Sequence, residues 1–182
     1  MDKFIINNEE AVLLIIDIQD KLVKPMKYAD KVIENTNIII SAAEEFNMPI
    51  IYTEQYPKGL GNTVIELEER LKNANKFEKT HFTAYIEGVK EILKEADRKK
   101  IIIAGMETHI CVFQTARDLI NDGYEVFVVK DSVCSRTKEN YLNGLSMIES
   151  MGAVVTNTET VIFDLLKKAG TPEFKVLSKL IK

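Results

Sequence analysis

Apolar positions along the chain follow two alternating rhythms. Short, nearly unbroken apolar runs rich in Ile and Val recur at Ala11–Asp17, Pro49–Glu54, Lys100–Gly105, Glu125–Lys130 and Ala153–Thr156. Such runs are the pattern of strands buried on both faces. Between them, apolar residues three and four apart predict helices. Asp30–Phe46 carries Val32, Ile33, Ile39, Ile40, Ala43 and Phe46, and Gly88–Ala96 carries Val89, Ile92, Leu93 and Ala96. Cys111–Ile120, Lys138–Met151 and Thr160–Lys168 complete the alternation, and Gly123 and Gly152 follow two of the helices where a left-handed closing residue is expected. Strand–helix units with short joints predict one domain over residues 1–182. Its expected architecture is three-layer α/β/α around a doubly wound, mainly parallel, Rossmann-like sheet.

Two segments depart from the alternation. Gln55–Thr80, with Tyr56-Pro57-Lys58-Gly59-Leu60-Gly61 near its start, is the least regular stretch, and a loop of that length is expected to serve or cover a site. Thr171–Lys182 is spaced like a short amphipathic helix opened by Pro172, fit to pack on its own domain or against a second subunit.

Composition narrows the function classes. The 182 residues, 46% hydrophobic and 29% charged, are enough for a sizeable core. With 24 Lys+Arg against 28 Asp+Glu the formal charge is -4, and no stretch reaches the basic density that a phosphate backbone calls for. Nucleic acid is therefore not expected as a partner. The longest apolar run stops at Asp17, and Met1-Asp2-Lys3-Phe4 does not open a secretory leader, so a cytoplasmic protein without a membrane partner is expected. Cys111 and Cys134 lack CxxC spacing and read as separate reduced thiols.

Ligands of open α/β sheets bind beyond the carboxyl ends of the strands. Asp17 ends the first apolar run, and its bland role would be to cap the turn that follows. The run Ile101–Ala104 leads through Gly105 to Met106-Glu107-Thr108-His109-Ile110-Cys111, a thiol at a helix start. The helix dipole there is expected to lower the thiol pKa from about 8.5, and nearby backbone N–H groups can receive an oxyanion. Position alone leaves Cys111 open to a simpler role as a small buried hydrophobe.

The sequence Gly105-Met106-Glu107-Thr108-His109-Ile110-Cys111-Val112, followed by Gln114-Thr115-Ala116-Arg117-Asp118-Leu119, closely resembles the nucleophile segment of the isochorismatase-like cysteine hydrolase superfamily. The resemblance extends to Asp17-Ile18-Gln19, Thr53 to Gly61, Lys79 with Phe82-Thr83-Ala84-Tyr85, and Asp131 to Arg136. It implies a triad in which Asp17 accepts the proton of Cys111 while Lys79 orients the carboxylate. It also implies a cis peptide at Met106–Glu107 and an oxyanion hole made by the backbone N–H groups of Glu107 and Cys111. The implied reaction is thiolate attack on a carbonyl carbon, a thioester, and its hydrolysis.

The same resemblance limits the substrate. Family members that hydrolyse nicotinamide carry an Asp and several His after the second strand to hold a metal. Here that stretch reads Thr53-Glu54-Gln55-Tyr56, with Glu54 the one candidate ligand. No metal and no cofactor are therefore expected. Members that act on isochorismate lack the active-site cysteine, so Cys111 argues for C–N bond hydrolysis. Gln19, Gln55, Tyr56, Phe82, Tyr85 and Thr108 are the expected pocket walls for a small-molecule amide or carbamoyl substrate, and a homo-oligomer is expected. The alternatives are a non-catalytic or regulatory binding protein on the same fold, a Cys111–His109 dyad, and a Cys111–Cys134 redox pair. A dinucleotide-binding domain is set aside, because no GxGxxG turn follows the first strand.

Overall fold

A computed structural model describes residues 2–181. Six strands form one sheet: β1 (Ala11–Ile16), β2 (Ile50–Gln55), β3 (Asn75–Lys79), β4 (Lys100–Met106), β5 (Glu125–Cys134) and β6 (Val154–Thr156). Their order is β3-β2-β1-β4-β5-β6, and every pairing is parallel. The chain builds outward from β1 to one edge and from β4 to the other, so the order reverses between β1 and β4. Crevices at such reversals are where ligands of open α/β sheets bind.

The apolar runs form strands because both of their faces are covered. All residues of β1 and β4 are buried. On one face, α2 (Ala29–Glu45), α8 (Thr158–Leu166) and α9 (Pro172–Leu177) pack through Val32, Ile39, Ile40, Val161, Ile162 and Leu177 onto Leu13, Ile15, Ile102 and Phe127. On the other face, α5 (Glu87–Ala96), α6 (Phe113–Asn121) and α7 (Lys138–Ser150) bring Val89, Leu93, Ala116, Leu119 and Ile148 against Val12, Leu14, Ile101 and Val128. Alternate residues of each strand thus feed separate cores. Thr137, Asn157 and Thr171 cap α7, α8 and α9 by accepting from a backbone N–H three residues on.

The stretch from Gln55 to Thr80 is more ordered than its sequence predicts. It holds α3 (Pro57–Leu60), α4 (Ile65–Glu68) and the edge strand β3, and a one-turn helix α1 (Asp20–Val23) lies opposite. The sequence Asn75-Lys76-Phe77-Glu78-Lys79 has no apolar run because an edge strand leaves most of its residues in water. β5 likewise runs past Lys130 to Cys134, through the polar Lys130-Asp131-Ser132, with a register shift against β4 between Ile103 and Gly105. At the end of the chain, α9 packs on its own domain through Leu177 and Phe174. Among the described residues no helix is long and apolar enough to cross a membrane.

Candidate active site

At the carboxyl ends of β1 and β4 the two backbones are in direct contact. Ile16 pairs with Gly105, whose φ is +137°, and a Cβ at Gly105 would lie 2.1 Å from the Ile16 carbonyl oxygen. A glycine is therefore obligatory there. Asp17 follows Ile16 with a left-handed φ of 53°, which a short polar side chain tolerates better than most. Beyond Gly105, the Met106–Glu107 peptide is cis, as the sequence resemblance implies. A π-helical turn, Thr108–Val112, then leads into α6 and carries Cys111.

The three triad candidates meet at these strand ends. Lys79 comes from the edge strand β3 and reaches across the end of β2, placing Nζ 2.6 Å from Asp17 Oδ2 with both side chains fully buried. The same ammonium donates to Gln55 Oε1 at 2.7 Å and to the carbonyls of Phe82 and His81 at 3.1 and 3.2 Å. Thr53 Oγ1 donates to the other Asp17 oxygen at 2.7 Å. The lysine and the carboxylate are thus held from several sides, as a buried ion pair must be. Cys111 is 6% exposed and stands beside this pair and the backbone N–H of Glu107.

Electrostatics at the thiol run opposite to the expectation from its helix-start position. Burial and the negative charge of Asp17 push the Cys111 pKa up to about 12, while Lys79 and the Glu107 N–H pull it down more weakly. The helix terminus loses to a nearby anion in a dry site. Burial also raises the Asp17 pKa, against the opposing pull of Lys79. The resting arrangement is therefore a protonated thiol beside a carboxylate with more than ordinary appetite for a proton.

Neighbouring residues brace the turn. Thr115 Oγ1 donates to the Cys111 carbonyl at 2.6 Å and accepts from Ala84 N at 2.7 Å. The Glu107 carboxylate accepts from Arg136, N at 3.0 Å and Nε at 3.1–3.2 Å. Gly144 of α7 lies directly against the turn, and a Cβ there would come within 2.9 Å of His109 Cα and the Thr108 carbonyl carbon. Thr53 and Thr115 lie within the family-like segments but were given no role from sequence, and Gly144 was not singled out. The signal for Thr115 was its i+4 spacing from Cys111, the reach of a hydroxyl to a helical carbonyl.

The expected pocket walls divide. Gln55 faces the site through its bond to Lys79. Phe82 contributes its carbonyl, and the residue is 55% exposed, as is Tyr56 beside the β2 end. Thr108 is fully buried with no hydrogen-bond partner for its hydroxyl among the described residues. Gln19 is held by backbone: its amide donates to the Gln55 and Gly61 carbonyls at 3.1 and 2.6 Å and accepts from Gln55 N at 2.7 Å. Tyr85 is directed elsewhere, with its hydroxyl donating to Asp122 beyond the far end of α6.

Other candidates take structural roles. Glu54 Oε1 accepts from Thr63 N and Oγ1 at 2.7 and 2.9 Å and from Lys76 at 3.0 Å. His109 bonds Ser135 through Nδ1 at 3.0 Å. Cys134 packs in the core on the α2 face and Cys111 in the core on the α6 face, so the sheet stands between them.

A parallel sheet covered by helices on both faces defines a doubly wound α/β fold, and comparison with known proteins gives the family. The isochorismatase domain matches residues 11–160. The secreted isochorismatase effector Isc1 of Phytophthora sojae is 40% identical over 177 residues, covering 94% of this chain and 84% of that protein. Isochorismatase domain-containing protein 2 of Xenopus laevis is 36% identical, covering 97% and 85%. A solved structure of MAR1 ribonuclease from Caenorhabditis elegans superposes with a TM-score of 0.93 at 38% identity, covering 97% of this chain and 91% of that one. The chain belongs to the isochorismatase family and has its hydrolase fold.

Proposed function

We propose that the protein is a cysteine-dependent hydrolase of a C–N bond in a small amide or carbamoyl compound. The observation that carries this reading is the fully buried Asp17–Lys79 pair set beside Cys111 at the strand-order reversal. Asp17 removes the thiol proton as Sγ bonds to the carbonyl carbon. The oxygen that becomes negative is received by the backbone N–H groups of Glu107 and Cys111, donors whose loss costs about 10²–10³ in rate in related chemistry. Collapse breaks the C–N bond, and the leaving nitrogen takes the proton from Asp17. Water then attacks the thioester with Asp17 again as base, releasing the carboxylic acid and restoring the thiol. Lys79 keeps Asp17 oriented and prevents it from becoming permanently protonated in its dry site. The raised proton affinity of Asp17 makes it a stronger base than a solvated carboxylate.

The test is ammonia or amine release from a panel of small amides and carbamoyl compounds, with Cys111→Ser and Asp17→Asn as controls. Release abolished by both changes, with an acyl adduct on Cys111 seen by mass spectrometry, supports the mechanism. Turnover that survives Cys111→Ser would refute it. We also propose a homo-oligomer, supported by the exposed apolar side chains of Val176 and Leu180 near the chain end; a monomer by light scattering would end that part.

A second reading is favoured by the name of the 38% identical relative, a ribonuclease. RNA would have to bring a phosphodiester to a thiol only 6% exposed, and the overall charge is -4. Incubation with labelled single-stranded RNA separates the readings, since cleavage lost in Cys111→Ser would favour this one.

A further inference from the structure

Away from the triad, a cavity of about 470 Å³ opens where the end of β5 meets the amino ends of α2 and α7. Its walls are mostly apolar, with Val32 and Val133 at the base and Tyr28 and Leu142, both more than half exposed, at the rim. Lys27, Lys31, Lys130, Arg136 and Lys138 also line it, against one carboxylate, Asp131. That carboxylate is occupied: Oδ1 accepts from Thr158 N and Oγ1 at 2.8 and 2.9 Å. Lys31 pairs with Glu34 and Arg136 with Glu107. Lys27, Lys130 and Lys138 have no carboxylate partner among the described residues.

We infer that this cavity binds a small organic anion with an apolar body, an aromatic or branched-chain carboxylate. Three cations without a carboxylate partner among the described residues, around a concave apolar wall, supply a field that a carboxylate can neutralise while its hydrocarbon part is buried. The amino end of the 13-residue α7 adds to that field, since Thr137 and Lys138, its cap and first residue, are both in the wall. A neutral ligand of the same shape gains only the apolar contact. An inorganic anion gains only the charge. The site does not use Asp17, Lys79 or Cys111, so it stands or falls independently of the proposed reaction.

The experiment is isothermal titration calorimetry of the full chain with benzoate, benzamide, inorganic phosphate and a short single-stranded RNA. The variants are Lys130→Glu/Lys138→Glu, Lys27→Glu and Cys111→Ser. Lys27, Lys130 and Lys138 are exposed, so charge reversal there leaves the core untouched. Saturable benzoate binding is expected, retained in Cys111→Ser, weakened at least about tenfold by Lys130→Glu/Lys138→Glu, and weakened by added salt. Benzamide and phosphate are expected to bind more weakly than benzoate. The inference is overturned by benzoate binding indifferent to charge reversal, by benzamide binding equally well, by no saturation up to roughly 10 mM, equivalent to less than about 3 kcal/mol, or by RNA being preferred.

Discussion

Replacing Lys79 with Met removes one member of an ion pair whose two side chains are both fully buried. Met fills similar volume, so the main loss is electrostatic. Asp17 keeps the hydrogen bond from Thr53 but loses its charged partner, and Gln55 Oε1 loses its donor. Breaking a buried pair from one side costs about 3–5 kcal/mol, because a charge remains uncompensated in the interior. At about 2–4 °C per kcal/mol for a chain of this size, the melting temperature is expected to fall by roughly 6–20 °C. The deficit must also depend on pH. Burial holds the folded-state pKa of Asp17 above its ordinary 3.8 even with Lys79 present, and removing Lys79 raises it further. The folded variant then binds the Asp17 proton more tightly than its unfolded chain. Its deficit is fullest above the raised folded pKa and shrinks as the pH falls, disappearing below the unfolded value, where both states are protonated. Chemical denaturation of wild type, Lys79→Met, Asp17→Asn and the double variant at pH 5 and pH 8 measures this. A coupling of at least about 2 kcal/mol at pH 8, smaller at pH 5, is expected. Equal cost of Lys79→Met with Asp or Asn at position 17, or no change with pH, would refute the reasoning.

Three further outcomes follow from the same geometry. The pH profile of Cys111 alkylation by iodoacetamide should have its midpoint above that of a free thiol, and Asp17→Asn should move the midpoint to lower pH by removing an anion that raises it, while abolishing turnover; a midpoint moved to higher pH would contradict the charge assignment. Gly144→Ala forces a methyl group against the backbone of His109 and Thr108, so about 1–3 kcal/mol of stability should be lost with activity falling further than stability explains; unchanged denaturation and kinetics would show that α7 can yield. Gln55→Leu removes one acceptor from Lys79 and should lower turnover while Gln55→Glu restores part of it, read as kcat in steady-state assays.

Much of the fold was legible because its strands are continuous apolar runs, and a residue such as Ile103 leaves no other reading. What stayed hidden lay where burial is one-sided. β3 has Phe77 half buried among charged neighbours, so its pattern cannot be told from a loop. The far part of β5 is interrupted by Lys130 and Asp131, whose polar groups serve the sheet end rather than the core. Asp17 was visible as a carboxylate closing a buried strand. Lys79 was not, since nothing local distinguishes it from Lys72 or Lys76, and only the family resemblance singled it out. The direction of the Cys111 shift could not be read from its place at a helix start, because it is set first by burial in the folded site and then by the charge of Asp17, a residue 94 positions earlier in the chain. Gln19 and Tyr85 were expected as pocket walls; in the fold the Gln19 amide bonds the backbone of Gln55 and Gly61 and the Tyr85 hydroxyl donates to Asp122, contacts that no local pattern announces.

The strand that carries Lys79 lies at the rim of the sheet, paired on one side only. Rim strands are among the first to open in native-state fluctuations, at free energies well below that of global unfolding. The ammonium is thus mounted on a hinge-like margin while its carboxylate partner directly follows the wholly buried central strand β1. Each opening of β3 disarms the pair without disturbing the central sheet. Under mild denaturant the reaction should stop while the bulk of the secondary structure persists, and amide hydrogens of Phe77–Lys79 should exchange faster than those of Leu13–Ile16.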